Sequence, residues 1–165
     1  MKYILSFLAL LVAFLFLGCS AKNYEHTQPK IFVIKSPKLK FADLGYLRNT
    51  NTSIELELFV AGTSVEKITI NHLICVSKGC MSKSGFNSEY LNASYPDEML
   101  QNILLSEPIY NGLNKVITPI GYEQVIENEY VDIVYRVRQG AAFFRDRKNN
   151  ISFKHKDTQL RIDDE

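Results

Sequence analysis

Residues 130–155 read YVDIVYRVRQGAAFFRDRKNNISFKH, and this stretch decides the fold. Apolar Val131, Ile133, Tyr135 and Val137 fall on alternate positions, which predicts a strand over 130–138 with one buried face. Two turn signals follow, Gln-Gly at 139–140 and Asn-Asn at 149–150, and they predict two more strands over 141–148 and 151–155. Strands joined by such short turns pair in the antiparallel sense, because a parallel connection needs a long crossover.

The chain before this stretch carries further strand signals. Strands are predicted over 31–35, 39–42, 54–60, 65–76 and 121–126. Glu55 and Glu57 alternate with apolar residues in one of them, so we expect both carboxylates on a solvated sheet face rather than in an acid–base pair.

One helix interrupts the strands. Ser94 is a suitable cap, and the stretch ends at Pro108. Between them, four apolar residues lie at helical spacing: Met99, Leu100, Ile103 and Leu104. About eight short strands without repeated strand–helix units predict a mainly β fold, an antiparallel β-sandwich with one short inserted helix.

The first twenty residues are typical of an export signal. Lys2 supplies a positive start, residues 4–17 are apolar apart from one serine, and Gly18 precedes Cys19. The apolar stretch is shorter than the roughly 20 residues of a membrane span, so it predicts a cleaved signal peptide. The segment LFLGC at 15–19 resembles the lipobox of bacterial lipoproteins. That resemblance implies cleavage by signal peptidase II, palmitate and other acyl chains on Cys19, and an anchor in the cell envelope; Ser20 implies the outer membrane.

The chain is predicted to divide into four parts: a signal peptide at 1–18, a lipid-anchored tether at 19–30, a β-sandwich domain at 31–162 and an acidic tail at 163–165. Residues 130–138 and the hairpin after them resemble the later strands of immunoglobulin-like domains. Together, the lipobox, tether, strands and inserted helix resemble the small immunoglobulin-like lipoproteins of epsilon-proteobacteria. This resemblance implies an immunoglobulin-like envelope protein.

The charge of the chain is balanced. The full sequence has 19 basic and 18 acidic residues, and loss of residues 1–18 removes Lys2 and leaves 18 of each. Nucleic acid demands a basic surface, so this balance predicts no nucleic-acid partner. It also argues against electrostatic binding to an anionic membrane.

Two cysteines remain after Cys19. In an oxidising compartment, Cys75 and Cys80 are expected to form one disulfide. The alternative is a metal or redox site that joins both thiols to His72, although no fourth ligand is visible. His72 and Cys75 point to opposite faces of a regular strand, which favours the disulfide and a protein without a cofactor.

One pair of aromatic residues is a candidate binding site. Phe143 and Phe144 are adjacent on a predicted strand, so their side chains point to opposite faces. Arg145 and Arg147 share the face of Phe143, and aromatic residues beside arginine are typical of interface hot spots. Phe143, Phe144, Arg145 and Arg147 therefore form the candidate binding set, while burial of both rings is the competing interpretation.

The sequence contains no nucleophile elbow, zinc-protease helix, phosphate loop or Cys-x-x-Cys motif. It therefore predicts a non-enzymatic, membrane-anchored module that binds a protein or host-surface partner. The alternative function is a periplasmic metal-binding or redox protein that uses His72, Cys75 and Cys80.

Overall fold

The computed structural model describes residues 26–158. The signal peptide, Cys19 with its predicted acylation and the acidic tail lie outside these residues. Residues 26–158 form eleven strands and two α-helices, in this order: β1 His26–Lys35, β2 Lys40–Asn49, β3 Ile54–Val60, β4 Thr63–Ile70, β5 Ile74–Val76, β6 Gly79–Met81, α1 Lys83–Tyr90, α2 Met99–Leu105, β7 Lys115–Thr118, β8 Gly121–Glu127, β9 Asp132–Arg138, β10 Ala141–Asp146 and β11 Ile151–Asp157. The mainly β, antiparallel prediction is confirmed.

All eleven strands belong to one open antiparallel sheet in the order β6-β5-β4-β3-β2-β1-β11-β10-β9-β8-β7. Strands β1 to β6 and strands β7 to β11 each follow the chain, so every neighbour within these two halves is a sequence neighbour. The halves join where β1 pairs with β11, with Phe32 opposite His155. The described strands are thus continuous across the molecule, and the predicted two-sheet sandwich stays a prediction.

One face of the sheet, called the inner face, carries the core. Alternate residues of each long strand are buried there, as the period of two requires, and both helices pack against them in one apolar cluster. The cluster centres on Phe144, whose ring makes edge-to-face contacts with Tyr95, Tyr135 and Phe153. The inner face therefore supplies the cohesion of the domain, and most of the opposite, outer face is open to solvent.

The crossover from β6 to β7 is fixed to the inner face by buried polar groups. Gln124 donates its side-chain amide to the carbonyl oxygens of Ile109 and Leu113, at 2.9 and 2.7 Å, and accepts from the backbone N–H of Ile109 at 2.9 Å. Buried amides need such partners, because an unpaired one costs about 1–3 kcal/mol. Gln124 thus satisfies backbone groups that a loop would otherwise leave unpaired.

Several predicted boundaries differ from the structure. Strand β1 begins at His26, so residues 26–30 belong to the sheet and not to the predicted tether. Within residues 26–158, two α-helices occur instead of one: Ser82 caps α1, which the sequence prediction missed, and α2 follows Glu98 rather than Ser94. The predicted strand over 65–76 is divided by a turn into β4 and β5. The four residues of the predicted helical stripe are all buried.

Candidate interaction surfaces

The centre of the outer face, on strands β9, β10, β11, β1 and β2, forms a surface called here the basic face. Three rows of directly opposed residues define it: Arg138, Ala141, Lys156, Ile31 and Leu44; Arg136, Phe143, Lys154, Val33 and Ala42; Val134, Arg145, Ser152, Lys35 and Lys40. Of these fifteen positions, seven are basic, seven are apolar, one is serine and none is acidic. A chain of balanced charge therefore folds into a domain with a strongly positive face.

Phe143 lies at the middle of the basic face. The Nζ of Lys154 lies 5.8 Å from the centre of its ring, which is a cation–π distance. Shallow grooves of about 350 Å³ and 260 Å³ lie on its two sides, the first beside Arg138 and Lys156 and the second beside Arg145 and Lys35. The ring is a low ridge between two depressions whose rims carry positive charge.

The four residues of the predicted binding set divide between three environments. Phe143 and Arg145 share the outer face, as the alternation predicts. Phe144 is 0 % exposed in the core, so its place in a contact surface is wrong for the folded domain. Arg147 lies beyond the end of β10, where its guanidinium makes two hydrogen bonds of 2.7 Å to the carboxylate of Asp132. Arg147 still lines the same groove as Phe143 and Arg145, but its charge is already paired with Asp132.

The two edges of the sheet differ. The β6 edge is three residues long and is held to β5 by the disulfide of Cys75 and Cys80. The β7 edge carries Val116 and Ile117, which are 63 % and 72 % exposed, with exposed Leu113 and Ile120 at its two ends. Apolar edge strands invite pairing with another chain, because their backbone N–H and C=O groups face solvent. The β7 edge, defined as residues 113–120, is therefore the second candidate surface.

The predicted cysteine pair is at disulfide distance in the structure. It joins directly opposed residues of the β5–β6 hairpin, while His72 lies in the turn before β5. Within residues 26–158, no three histidine, cysteine or acidic side chains come together as a metal site. A disulfide holds no thiolate ligands, so this geometry lends no support to the metal alternative.

Glu55 and Glu57 lie on the outer face of β3, but the expected solvation holds only in part. Arg48 lies between them, with Nη1 at 3.0 Å from Glu55 and 2.8 Å from Glu57, and Lys67 approaches Glu55 to 2.8 Å. Glu55 is buried beneath these cations. The hydrogen bond from Arg48 lowers the pKa of Glu57. Carboxylates held by cations in this way form a structural ion-pair network and are poor general acids.

His155 is a buried histidine of β11 whose surroundings change the pKa of its ring. Its Nε2 lies 3.1 Å from the carbonyl oxygen of Ile103, and its Nδ1 is buried without a hydrogen-bond partner. Burial is the main cause that lowers the pKa of His155; the carbonyl of Ile103 opposes it, Lys30 adds to it and Asp157 opposes it, and the net pKa is about 4. Lys30 pairs with Asp157 beside it. The ring is therefore neutral at physiological pH and packs as part of the core.

Asp146 is a buried carboxylate that the sequence does not mark as special. It accepts hydrogen bonds from the hydroxyl of Tyr95 at 2.7 Å, the side-chain amide of Asn149 at 2.7 Å and the backbone N–H of Asp132 at 3.2 Å. Burial, and then the hydrogen bond to Asp146, raises the pKa of the Tyr95 hydroxyl. These bonds tie the crossover, the start of β9 and the β10–β11 turn together, so Asp146 stabilises the fold.

Comparisons with protein-family models, with curated proteins and with solved structures find no match to this chain. Within residues 26–158, no helix is both long enough and apolar enough to cross a bilayer.

Proposed function

We propose that the protein is a lipid-anchored lipoprotein of the bacterial cell envelope, and that its β domain is a non-enzymatic module that binds a protein partner along the β7 edge. The anchor is supported by the lipobox at 15–19, which offers Cys19 as the acylated residue. The binding role is supported by the apolar β7 edge. The predicted immunoglobulin-like sandwich belongs to the same proposal; the open antiparallel sheet supports its β-rich character, and strands that divide into two packed sheets would support the rest.

The apolar edge carries this proposal. Sheet edges in stable monomers are usually short, charged or covered, because an uncovered edge templates pairing with other chains. The β6 edge follows this rule through its length and its disulfide. The β7 edge is also short, but unlike β6 it exposes apolar side chains, since Val116 and Ile117 point to opposite faces and both are exposed. An extended segment of a partner would bury both side chains and pair with the backbone of β7.

The binding part is tested by photo-crosslinking in intact cells. A benzoylphenylalanine at Ile117 is expected to capture a discrete protein partner, whereas the same probe at Val65, an exposed valine of β4, is not. Val116→Glu should abolish the capture, and Val65→Glu is the matched control that adds the same charge elsewhere. Equal capture from both probe positions, or capture that survives Val116→Glu, would contradict binding at this edge.

The anchor is tested separately. Metabolic labelling with an alkyne analogue of palmitate should mark the wild-type protein and not Cys19→Ser, and only the wild type should fractionate with membranes. An unlabelled wild-type protein in the soluble fraction would refute the anchor and leave the result at the β7 edge standing.

A further inference from the structure

The basic face is distinct from the β7 edge and needs its own explanation. We infer that it binds the anionic phospholipid headgroups of the bilayer that holds the lipid anchor. This inference rests on the proposed acylation of Cys19. It makes the domain a body that lies against its own membrane with its core and helices on the side away from the bilayer.

Charge is the first reason. Arg136 pairs with Glu123, Arg136 Nε lying 2.9 Å from the carboxylate, at the border of the face. The other six cations make no ion pair with a carboxylate within residues 26–158: Lys35, Lys40, Arg138, Arg145, Lys154 and Lys156. An array of cations without carboxylate partners is complementary to the phosphates of a membrane surface, and each basic residue near an anionic membrane strengthens binding.

The apolar residues between the cations are the second reason. Ile31 and Val33 are exposed on β1, and Phe143 is half-buried beside Lys154. On a purely polar ligand these side chains would stay in contact with water. At a bilayer surface they can enter the boundary between headgroups and acyl chains, while the long stems of lysine and arginine let their charged ends remain among the phosphates.

The size of the face is the third reason. Five strands about 4.8 Å apart and five residues along each give an area of about 20 by 15 Å, or roughly 300 Å². Stable protein partners bury about 800 Å² on each side, so a protein would bind this face weakly. Binding to the membrane needs a smaller contact area, because the lipid anchor already holds the domain at a high effective concentration beside the bilayer. The six residues between Cys19 and β1 span at most about 20 Å, and β1 crosses the face itself.

The test uses the full lipidated chain, purified from membranes and reconstituted into vesicles of phosphatidylcholine alone or mixed equally with phosphatidylglycerol. Benzoylphenylalanine replaces Phe143 or, as a control position, exposed Tyr130 in the β8–β9 turn. Lipid adducts are measured by mass spectrometry. We expect adducts at position 143 to rise about tenfold with phosphatidylglycerol and to fall with added salt, while those at position 130 do not change.

Two pairs of charge-reversal substitutions distinguish contact at the basic face from an effect of the net charge of the protein. Lys154→Glu with Lys156→Glu should bring adducts at position 143 down to the phosphatidylcholine level, whereas Lys78→Glu with Lys148→Glu, which makes the same charge change outside the basic face, should not. All four lysines are exposed, and circular dichroism verifies that both variants fold.

Equal effects of the two pairs, or equal adducts in the two vesicle types, would overturn the inference. So would capture of an acidic protein at position 143 in cells. Protein that floats with vesicles but shows no charge-dependent adducts refutes only this contact, whereas protein that does not float refutes the anchor as well.

Discussion

Mild acid should destabilise the domain through His155. The side chain is 2 % exposed, and its Nε2 donates to the carbonyl oxygen of Ile103 in the neutral tautomer that this contact selects. A second proton would have to enter at Nδ1, which has no acceptor. The resulting charge would lie in the core and close to the ammonium of Lys30, with only Asp157 to offset it.

The magnitude follows from the difference in pKa between the two states. The pKa of His155 is about 4 in the fold against 6.5 in the unfolded chain, so the unfolded chain takes up the proton first. The stability is complete above pH 6.5 and is lost as the pH falls from 6.5 through 4. At 1.36 kcal/mol per pKa unit, the full loss is about 3 kcal/mol, and about 2 kcal/mol is lost by pH 5.

The assay is urea denaturation of the purified protein at pH 7.5 and pH 5. Glutamine at this position can still donate to the carbonyl of Ile103 but does not titrate. His155→Gln should therefore lose about 2 kcal/mol less than the wild type between the two pH values. Exposed His72→Gln serves as the control and should behave as the wild type does. Equal pH dependence of the wild type and His155→Gln would refute the reasoning, because all other titrating groups are common to both.

Three further predictions concern stability and are measured by the same denaturation assay. Phe144→Ala should lower the free energy of unfolding by about 3–5 kcal/mol because it leaves a cavity at the centre of the core, whereas Phe143→Ala on the outer face should lower it by less than about 1 kcal/mol. Similar losses in the two variants would contradict the assignment of the two faces. Gly121→Ala should lower the free energy of unfolding by more than about 2 kcal/mol, because φ is +150° there and an alanine Cβ would lie 2.0 Å from a backbone carbonyl oxygen of β9. An alanine variant as stable as the wild type would contradict the backbone geometry of this turn. Replacing Cys75 and Cys80 together with serine should lower the free energy of unfolding by only about 2 kcal/mol, because the closed loop is short; a protein that no longer folds would show that the bridge holds more than one hairpin.

Much of the local structure follows from the sequence. The predicted strand over 54–60 is β3, and the predicted disulfide joins a short hairpin. The missed elements share a physical cause. Strand β7 is four residues long with apolar side chains on both faces, and α1 is a single short helix rich in serine and glycine, so neither shows a clear period. Capping of α1 by Ser82 is the one local signal that precedes it.

The candidate sites could be predicted from the sequence only in part. The alternation in β10 correctly separates Phe143 from Phe144, but it does not say which of the two faces is the core. That choice depends on Tyr95 and Phe153, which pack on Phe144 from distant parts of the chain. Asp146 and His155 likewise resemble ordinary polar strand residues until their partners are known.

The sequence alone predicted most of the strands, their antiparallel hairpins and the cysteine pair, and it predicts an export signal with a candidate acylation site, because each depends on residues close together in the chain. Only the tertiary structure decided that β1 lies against β11 and thereby brings Ile31 and Val33 beside Lys156, Lys154 and the β10 residues. The alternation of side chains along a strand shows which of its residues share a face. The order of strands from opposite ends of the chain depends instead on long-range packing. A composition of nearly equal charges could therefore hide a face on which only positive charge is present.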